Sequence, residues 1–101
     1  MSVGVSFVIP VLNEEYAVAD LLRDLRQRYP HSQLIVVDGG SRDRTVALAL
    51  PLCDQLLLSD SGRARQMNLG GQVASMPYVF FLHADSCPGV SASALEAYLD
   101  A

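Results

Sequence analysis

The sequence predicts an α/β domain in which a mostly parallel sheet of about four strands, in the order 3-2-1-4, carries helices on both faces. Three observations predict it. Short apolar runs at Val3–Leu12, Gln33–Val37, Gln55–Ser59 and Tyr78–Leu82 alternate with segments of helical spacing. The connections between them are short, which suits parallel strands joined by crossover helices. The runs end abruptly in polar or glycine-rich residues: Asn13-Glu14, Asp38-Gly39-Gly40-Ser41, Asp60-Ser61-Gly62 and His83-Ala84-Asp85-Ser86. Right-handed crossovers leave few arrangements, and in the order 3-2-1-4 the switch point lies between strands one and four. Ligands of open α/β sheets bind beyond the carboxyl ends of the strands at such a point.

The first strand draws its core residues from Val5, Phe7, Val8 and Ile9. Pro10 cannot donate to a ladder, so regular pairing is expected to stop there. Asn13 is a good N-cap for the first helix, and Glu14 and Glu15 suit its dipole. Val18, Leu21, Leu22 and Leu25 recur at helical spacing, until Tyr29-Pro30 ends the helix. Leu34–Val37 is a continuous apolar strand. Ser41 or Asp43 caps a second helix over Arg44–Leu50, with Val46, Ala49 and Leu50 inward, and Pro51 breaks it. Leu56-Leu57-Leu58 forms the third strand. The third helix runs from Arg63 to Ala74 with Arg63, Arg65 and Asn68 near its start. Gly70-Gly71 inside it disfavours the helix, which points to close packing or a fraying end. Tyr78–Leu82 reads as a strand buried on both faces. Pro88-Gly89 marks a turn, and Ser91–Leu99 is read as a last helix.

The chain of 101 residues is read as a single domain over 1–101. A formal charge of −4 and a pI near 4.8 leave no basic surface for nucleic acid. The seven basic residues are all arginine, so a phosphate-loop lysine and a Schiff-base lysine are both excluded. Cys53 and Cys87 lack C-x-x-C spacing and read as free thiols of a reducing cytoplasm. No signal peptide is evident, and no apolar run approaches the roughly 20 residues of a bilayer span. Contact with a membrane through a partner or a lipid acceptor stays open.

No G-x-G-x-x-G follows the first strand, and there is neither a G-x-x-x-x-G-K-[ST] loop nor a G-x-S-x-G elbow. What remains is a set of acids at strand ends with arginines nearby. Asp38 precedes two glycines, where backbone approaches a ligand closely, and could accept from a base or ribose. Asp85 could hold Mg²⁺ or Mn²⁺, which take oxygen ligands and share phosphate oxygens. Arg63 and Arg65 could meet phosphate or base at a helix N-terminus. Each has an ordinary alternative: a turn-forming aspartate, a capping aspartate, a solvated arginine face. His83 is by itself more often a satisfied strand-end histidine than a ligand.

Four segments carry a resemblance: S-F-V-I-P-V-L-N-E-E at Ser6–Glu15, V-V-D-G-G-S-R-D-R-T at Val36–Thr45, G-R-A-R-Q-M-N-L-G at Gly62–Gly70 and F-F-L-H-A-D-S at Phe80–Ser86. In this order and spacing the chain resembles the N-terminal half of family-two glycosyltransferases of the GT-A fold. Its L-H-A-D and G-R-A-R-Q-M-N versions look most like a small bacterial subgroup. The resemblance implies a Rossmann-like half of that fold, a nucleotide-diphosphate-sugar donor, commonly a UDP-sugar, and a divalent metal. By analogy Asp38 would bind the nucleobase. Pro10, Asn13 and Glu14 would line the nucleotide pocket, with Gly40 and Ser41 in the loop after Asp38 and Arg63 near base and phosphates. His83-Ala84-Asp85 occupies the place of the family's D-x-D motif, making Asp85 the metal-contacting acid and His83 a further candidate ligand. The sequence departs from the pattern at Gly39, where a second acid is usual, and at His83, where D-x-D has its first acid. An imidazole suits Mn²⁺ better than Mg²⁺. No residue after Ser86 matches the family's catalytic base. The chain is therefore expected to be a donor-binding half, inactive alone, with the sugar and acceptor unassigned. It is also expected to self-associate, as a homodimer, through an uncovered sheet edge. The alternatives are a nucleotide-binding module without turnover and a self-associating α/β scaffold.

Overall fold

A computed structural model of the chain describes residues 4–84. Asp85, Ser86, Cys87 and the expected last helix Ser91–Leu99 lie outside the described residues. The described elements are β1 (Val5–Val11), α1 (Val18–Arg28), β2 (Gln33–Asp38), α2 (Thr45–Ala49), a 3-10 turn at Leu50–Leu52, β3 (Gln55–Leu58), α3 (Arg63–Val73) and β4 (Tyr78–Phe81). The four strands form one sheet in the order β3-β2-β1-β4. Every pairing is parallel, with Val8 opposite Ile35 on one side and Phe81 on the other. Topology and order agree with the expectation from sequence.

Strand alternation sorts the core into two layers. Phe7, Ile9, Val11, Leu34 and Val36 point to one face and are fully or almost fully buried against Val18, Leu21, Leu22 and Leu25 of α1. Val8, Ile35 and Val37 point to the other face, where Leu69 and Val73 of α3 pack on them. Central strands covered on both faces must be apolar at every position, which explains the unbroken run Leu34–Val37. Each such buried side chain contributes about 1.5–3 kcal/mol of transfer free energy.

Pro10 does not stop β1. The ladder with β2 continues through Pro10–Val37 to Val11–Asp38, and Gly39 N–H donates to Val11 O at 3.0 Å. Backbone groups of alternate residues face alternate neighbours. Val8 O accepts from Leu82 N–H, so Pro10 faces the β4 side, where pairing has already ended at Val8–Phe81. The missing N–H therefore costs no ladder bond.

Three further expectations change. Asn13 does not cap α1, which begins at Val18 after a turn closed by Ala17 N–H and Val18 N–H onto Glu14 O. Asn13 instead adopts φ 54° and binds the loop after β2. Leu50 is 61% exposed, because α2 ends at Ala49 and tightens into the 3-10 turn before Pro51; Leu52 packs on the core instead. β4 is not covered on both faces: Val79 is 40% and Phe81 41% exposed. It is an edge strand of the described sheet, and α3 sits mainly over β1 and β2, meeting β4 beside Phe81 at Gly71. Phe80 and Leu82 point to the other face and join the α1 core.

At the amino end of the sheet, Asp54 Oδ2 accepts from Leu34 N–H at 2.7 Å and from Arg26 Nη2 at 2.8 Å, while Arg26 Nη1 donates to Ser32 O at 2.9 Å. Partial burial works to raise the Asp54 carboxyl, but the Leu34 N–H and Arg26 outweigh it and hold it below its ordinary 3.8. A depressed folded pKa gives stability that is present above the unfolded pKa and lost as the pH falls through the folded one. Asp54→Asn is expected to lower stability by about 1 kcal/mol at neutral pH, solvent screening keeping the effect small. The difference from wild type should shrink as the pH falls below about 4. Urea unfolding at neutral and acid pH checks this; a difference independent of pH would contradict it.

Candidate functional site

A cleft of about 320 Å³ opens at the carboxyl ends of β1 and β4, lined among others by Pro10, Glu14, Gly62, Arg63, Gln66 and His83. It lies at the switch point, where the chain, having built outward from β1 to β2 and β3, crosses to β4 on the other side of β1. A larger hollow of about 540 Å³ lies at the opposite end, along Leu22, Arg26, Leu52, Cys53 and Asp54. Its charged groups already serve Leu34 N–H, Ser32 O and each other. Burial, foremost, and the neighbouring Asp54 push the Cys53 thiol up, away from nucleophilic character. The amino-end hollow thus offers structure rather than chemistry.

Of the residues expected from sequence, Pro10, Glu14, Arg63 and His83 meet in the switch-point cleft. Pro10 is buried, Glu14 and His83 are half-buried and Arg63 is exposed at the first turn of α3. Arg65, one residue on from Ala64, turns to Asp60 at 3.7 Å. Asp85 lies outside the described residues. Among the described residues no three His, Cys, Asp or Glu side chains gather as a metal cluster. The cleft itself offers one carboxylate and one imidazole, Glu14 and His83. One or two carboxylates completed by phosphate oxygens and water is a usual donor set for Mg²⁺ or Mn²⁺, so these residues fit as part of such a site rather than as a whole one.

Asn13, Asp38, Gly40 and Ser41 build the adjoining wall. Asp38 is 3% exposed, and its Oδ2 accepts from Gly40 N–H at 3.0 Å and Ser41 N–H at 2.9 Å. This is the turn-forming use of aspartate. Gly40 takes φ 103°, a conformation that disfavours any side chain. Oδ1 of the same carboxylate is buried and has no hydrogen-bond partner among the described residues. Buried carboxylate oxygens are normally satisfied, so this one needs a donor from elsewhere.

The loops after β1 and β2 are cross-linked. Asn13 N–H donates to Ser41 Oγ and Asn13 Oδ1 accepts from Arg42 N–H, at 2.8 and 2.9 Å. Glu14 N–H donates to Thr45 Oγ1 at 2.8 Å, and Thr45 N–H to Asp43 Oδ1 at 2.9 Å. The hydroxyl of Thr45 also donates to Asp43 and is the main reason that carboxyl lies below its ordinary range. Asn suits the left-handed conformation at position 13, which turns the loop toward β2. Ser41 thus holds a backbone N–H of the neighbouring loop, and Asp43 holds Glu15 N–H there at 3.3 Å as well as Thr45 N–H of its own.

Gln66 was not among the residues singled out from sequence. It is 4% exposed, and its Nε2 donates to Val11 O at 3.0 Å and Val37 O at 2.8 Å, tying the carboxyl ends of β1 and β2 together. The signal for it was a polar residue on the stripe Gln66, Leu69, Gly70, Val73, at the spacing of a sheet-facing helix side.

The glycosyl transferase family 2 profile matches residues 6–92. A poly-beta-1,6-N-acetyl-D-glucosamine synthase of Staphylococcus epidermidis is 31% identical over 90 residues, 82% of this chain and 22% of that protein. An uncharacterized glycosyltransferase of Haemophilus influenzae is 29% identical over 89 residues, 80% of this chain and 36% of that protein. The chain thus spans about a fifth to a third of the length of these curated relatives. Among solved structures, glucosyl-3-phosphoglycerate synthase from Mycobacterium tuberculosis, in complex with Mn²⁺, UDP and glucosyl-3-phosphoglycerate, superposes with TM-score 0.68 at 22% identity, over 82% of this chain and 34% of that one. TarS of S. aureus superposes with TM-score 0.70 at 19% identity, over 83% of this chain and 28% of that one. These likenesses show the fold, and the profile match spans most of the chain. The chain belongs to glycosyl transferase family 2.

Proposed function

We propose that this chain binds the nucleotide half of a nucleotide-diphosphate-sugar, a UDP-sugar, together with Mn²⁺ or Mg²⁺, as the donor side of a glycosyl transfer. The observation that carries the reading is the position of the cleft: it sits at the switch point of the sheet and gathers Pro10 from the end of β1, Glu14 from the loop after it, Arg63 from the first turn of α3 and His83 from just after β4. The M. tuberculosis relative in complex with UDP and Mn²⁺ supports the same ligand class.

In this reading the base lies against the wall built by Asn13, Asp38, Gly40 and Ser41, with Asp38 Oδ1 accepting from it. Pro10 and Glu14 border the nucleotide, and the loop cross-links keep this wall in one shape before the ligand arrives, which lowers the ordering cost of binding. Arg63, at the first turn of α3, offers its guanidinium and the positive end of the helix dipole to the diphosphate. His83 and Asp85 are the proposed metal ligands. When bound, the metal supplies charge neutralisation on the departing diphosphate. No residue of this chain is assigned as the base that would deprotonate the acceptor, and the acceptor is left unassigned.

Calorimetric titration of the chain with UDP in the presence of Mn²⁺, and again after EDTA, tests the reading. Binding that weakens at least tenfold on metal removal is expected. Absence of UDP binding in both conditions would reject the donor site.

A further inference from the structure

Gln66 has a feature that its role as a strand clasp does not use. Both hydrogens of its amide are committed, one to Val11 O and one to Val37 O. Rotating the amide by half a turn would set Oε1 against those two carbonyl oxygens, so the orientation is determined by its partners. The remaining atom, Oε1, has no hydrogen bond among the described residues. It lies 2.8 Å from where a Cβ on Gly39 would stand, in room that a side chain there would occupy. Gln66 also lines the switch-point cleft. A side chain that is 4% exposed thus presents an oriented acceptor with no donor of its own.

We infer that Gln66 is a ligand-binding residue whose Oε1 accepts a hydrogen bond from the nucleoside part of the ligand. The inference rests on the nucleotide reading of the cleft. A diphosphate at neutral pH brings only acceptors, whereas a uridine brings ribose hydroxyls besides the one imide N–H that Asp38 Oδ1 takes in that reading, so an acceptor here selects the ribose of the nucleoside. Its place beside Gly39, the residue after Asp38, puts it at the same strand end as the base-binding wall. Among the described residues the fully buried side-chain atom without a partner is Asp38 Oδ1, so Gln66 Oε1, also without a partner, is open to an incoming donor.

The test combines changes in ligand and protein. Wild-type chain is titrated in Mn²⁺ with UDP, its N3-methyl analogue and its 2′- and 3′-deoxy analogues. The titrations are repeated on Gln66→Met and Gly39→Ala. Methionine keeps the length and packing of Gln66, and Val11 O retains the Gly39 N–H. Alanine at position 39 displaces the Gln66 amide, a flexible side-chain end, and Gly39 is not among the residues with positive φ. The expected result is about tenfold weaker UDP binding in both variants. At least one deoxy analogue should bind wild type about tenfold more weakly than UDP does, and lose no further affinity in the variants. If UDP binds wild type and both variants alike, or if the deoxy-analogue and variant losses simply add, the inference is overturned while the nucleotide reading stands. If UDP does not bind wild type at all, both fall. Should Gln66→Met fail to fold, Gly39→Ala and the analogue series decide alone.

Discussion

Gly70→Ala is expected to destabilise the fold by about 1–3 kcal/mol, although alanine is the better helix former. A Cβ at position 70 would stand 2.3 Å from Val8 Cγ1 and 3.0 Å from Val37 Cγ2, well inside contact distance. Val8 is fully buried in a strand paired on both sides, and its branched side chain has little rotamer freedom, so it cannot move aside. Relief would require α3 to lift from the sheet and loosen Leu69 and Val73 from Ile35 and Val37. Gly71→Ala supplies the control, because its Cβ would meet Phe81 at 3.8 Å, an ordinary contact. That change should stabilise by up to about 1 kcal/mol through helix propensity. Denaturant midpoints at unchanged slope compare the two. Gly70→Ala equal to or more stable than Gly71→Ala would refute the packing argument.

Asp38→Asn should separate binding from folding. An asparagine can keep its carbonyl oxygen on Gly40 N–H and Ser41 N–H, which preserves the turn. Its amide then places a donor where Asp38 Oδ1 stands buried without one. Folding stability is expected to change by less than about 1 kcal/mol, since removal of a buried charge is offset by weaker bonds from Gly40 N–H and Ser41 N–H and by an amide donor without an acceptor. UDP affinity is expected to fall tenfold or more, because the ligand's donor would face another donor and lose a charge-assisted bond. Thermal unfolding and calorimetry on the same preparation read both quantities. Unchanged affinity would remove Asp38 from the nucleotide site and leave it as a turn-former.

The candidate residues were legible where chemistry follows from type and place. Asp38 before two glycines, Arg63 at the head of a helix, and His83 after a strand could each be assigned to one end of the sheet by counting elements. Gln66 was not, because its importance comes from where α3 crosses the ends of β1 and β2. Its place on the stripe with Leu69, Gly70 and Val73 marks it as sheet-facing, but which carbonyl groups it meets is not known until that crossing is. Asn13 shows the reverse: a good cap by type, it is diverted to Ser41 and Arg42 because the β2 loop lies beside it.

Alternation of apolar runs with helical periodicity, together with the handedness of crossovers, was enough to read the four parallel strands and their order from the sequence. The strands follow from burial periodicity, which a one-dimensional pattern records, and their order from the few right-handed crossovers that short connections allow. Only the tertiary structure decided that Pro10 stays inside its ladder, that β4 is partly exposed on the face where α3 covers β1 and β2, that Gly70 is the contact point of helix and sheet, and that Gln66 clasps the ends of β1 and β2 beside the cleft. Each of these turns on which neighbour a residue meets across the chain, at separations of tens of residues, and on whether the space between them admits one more atom.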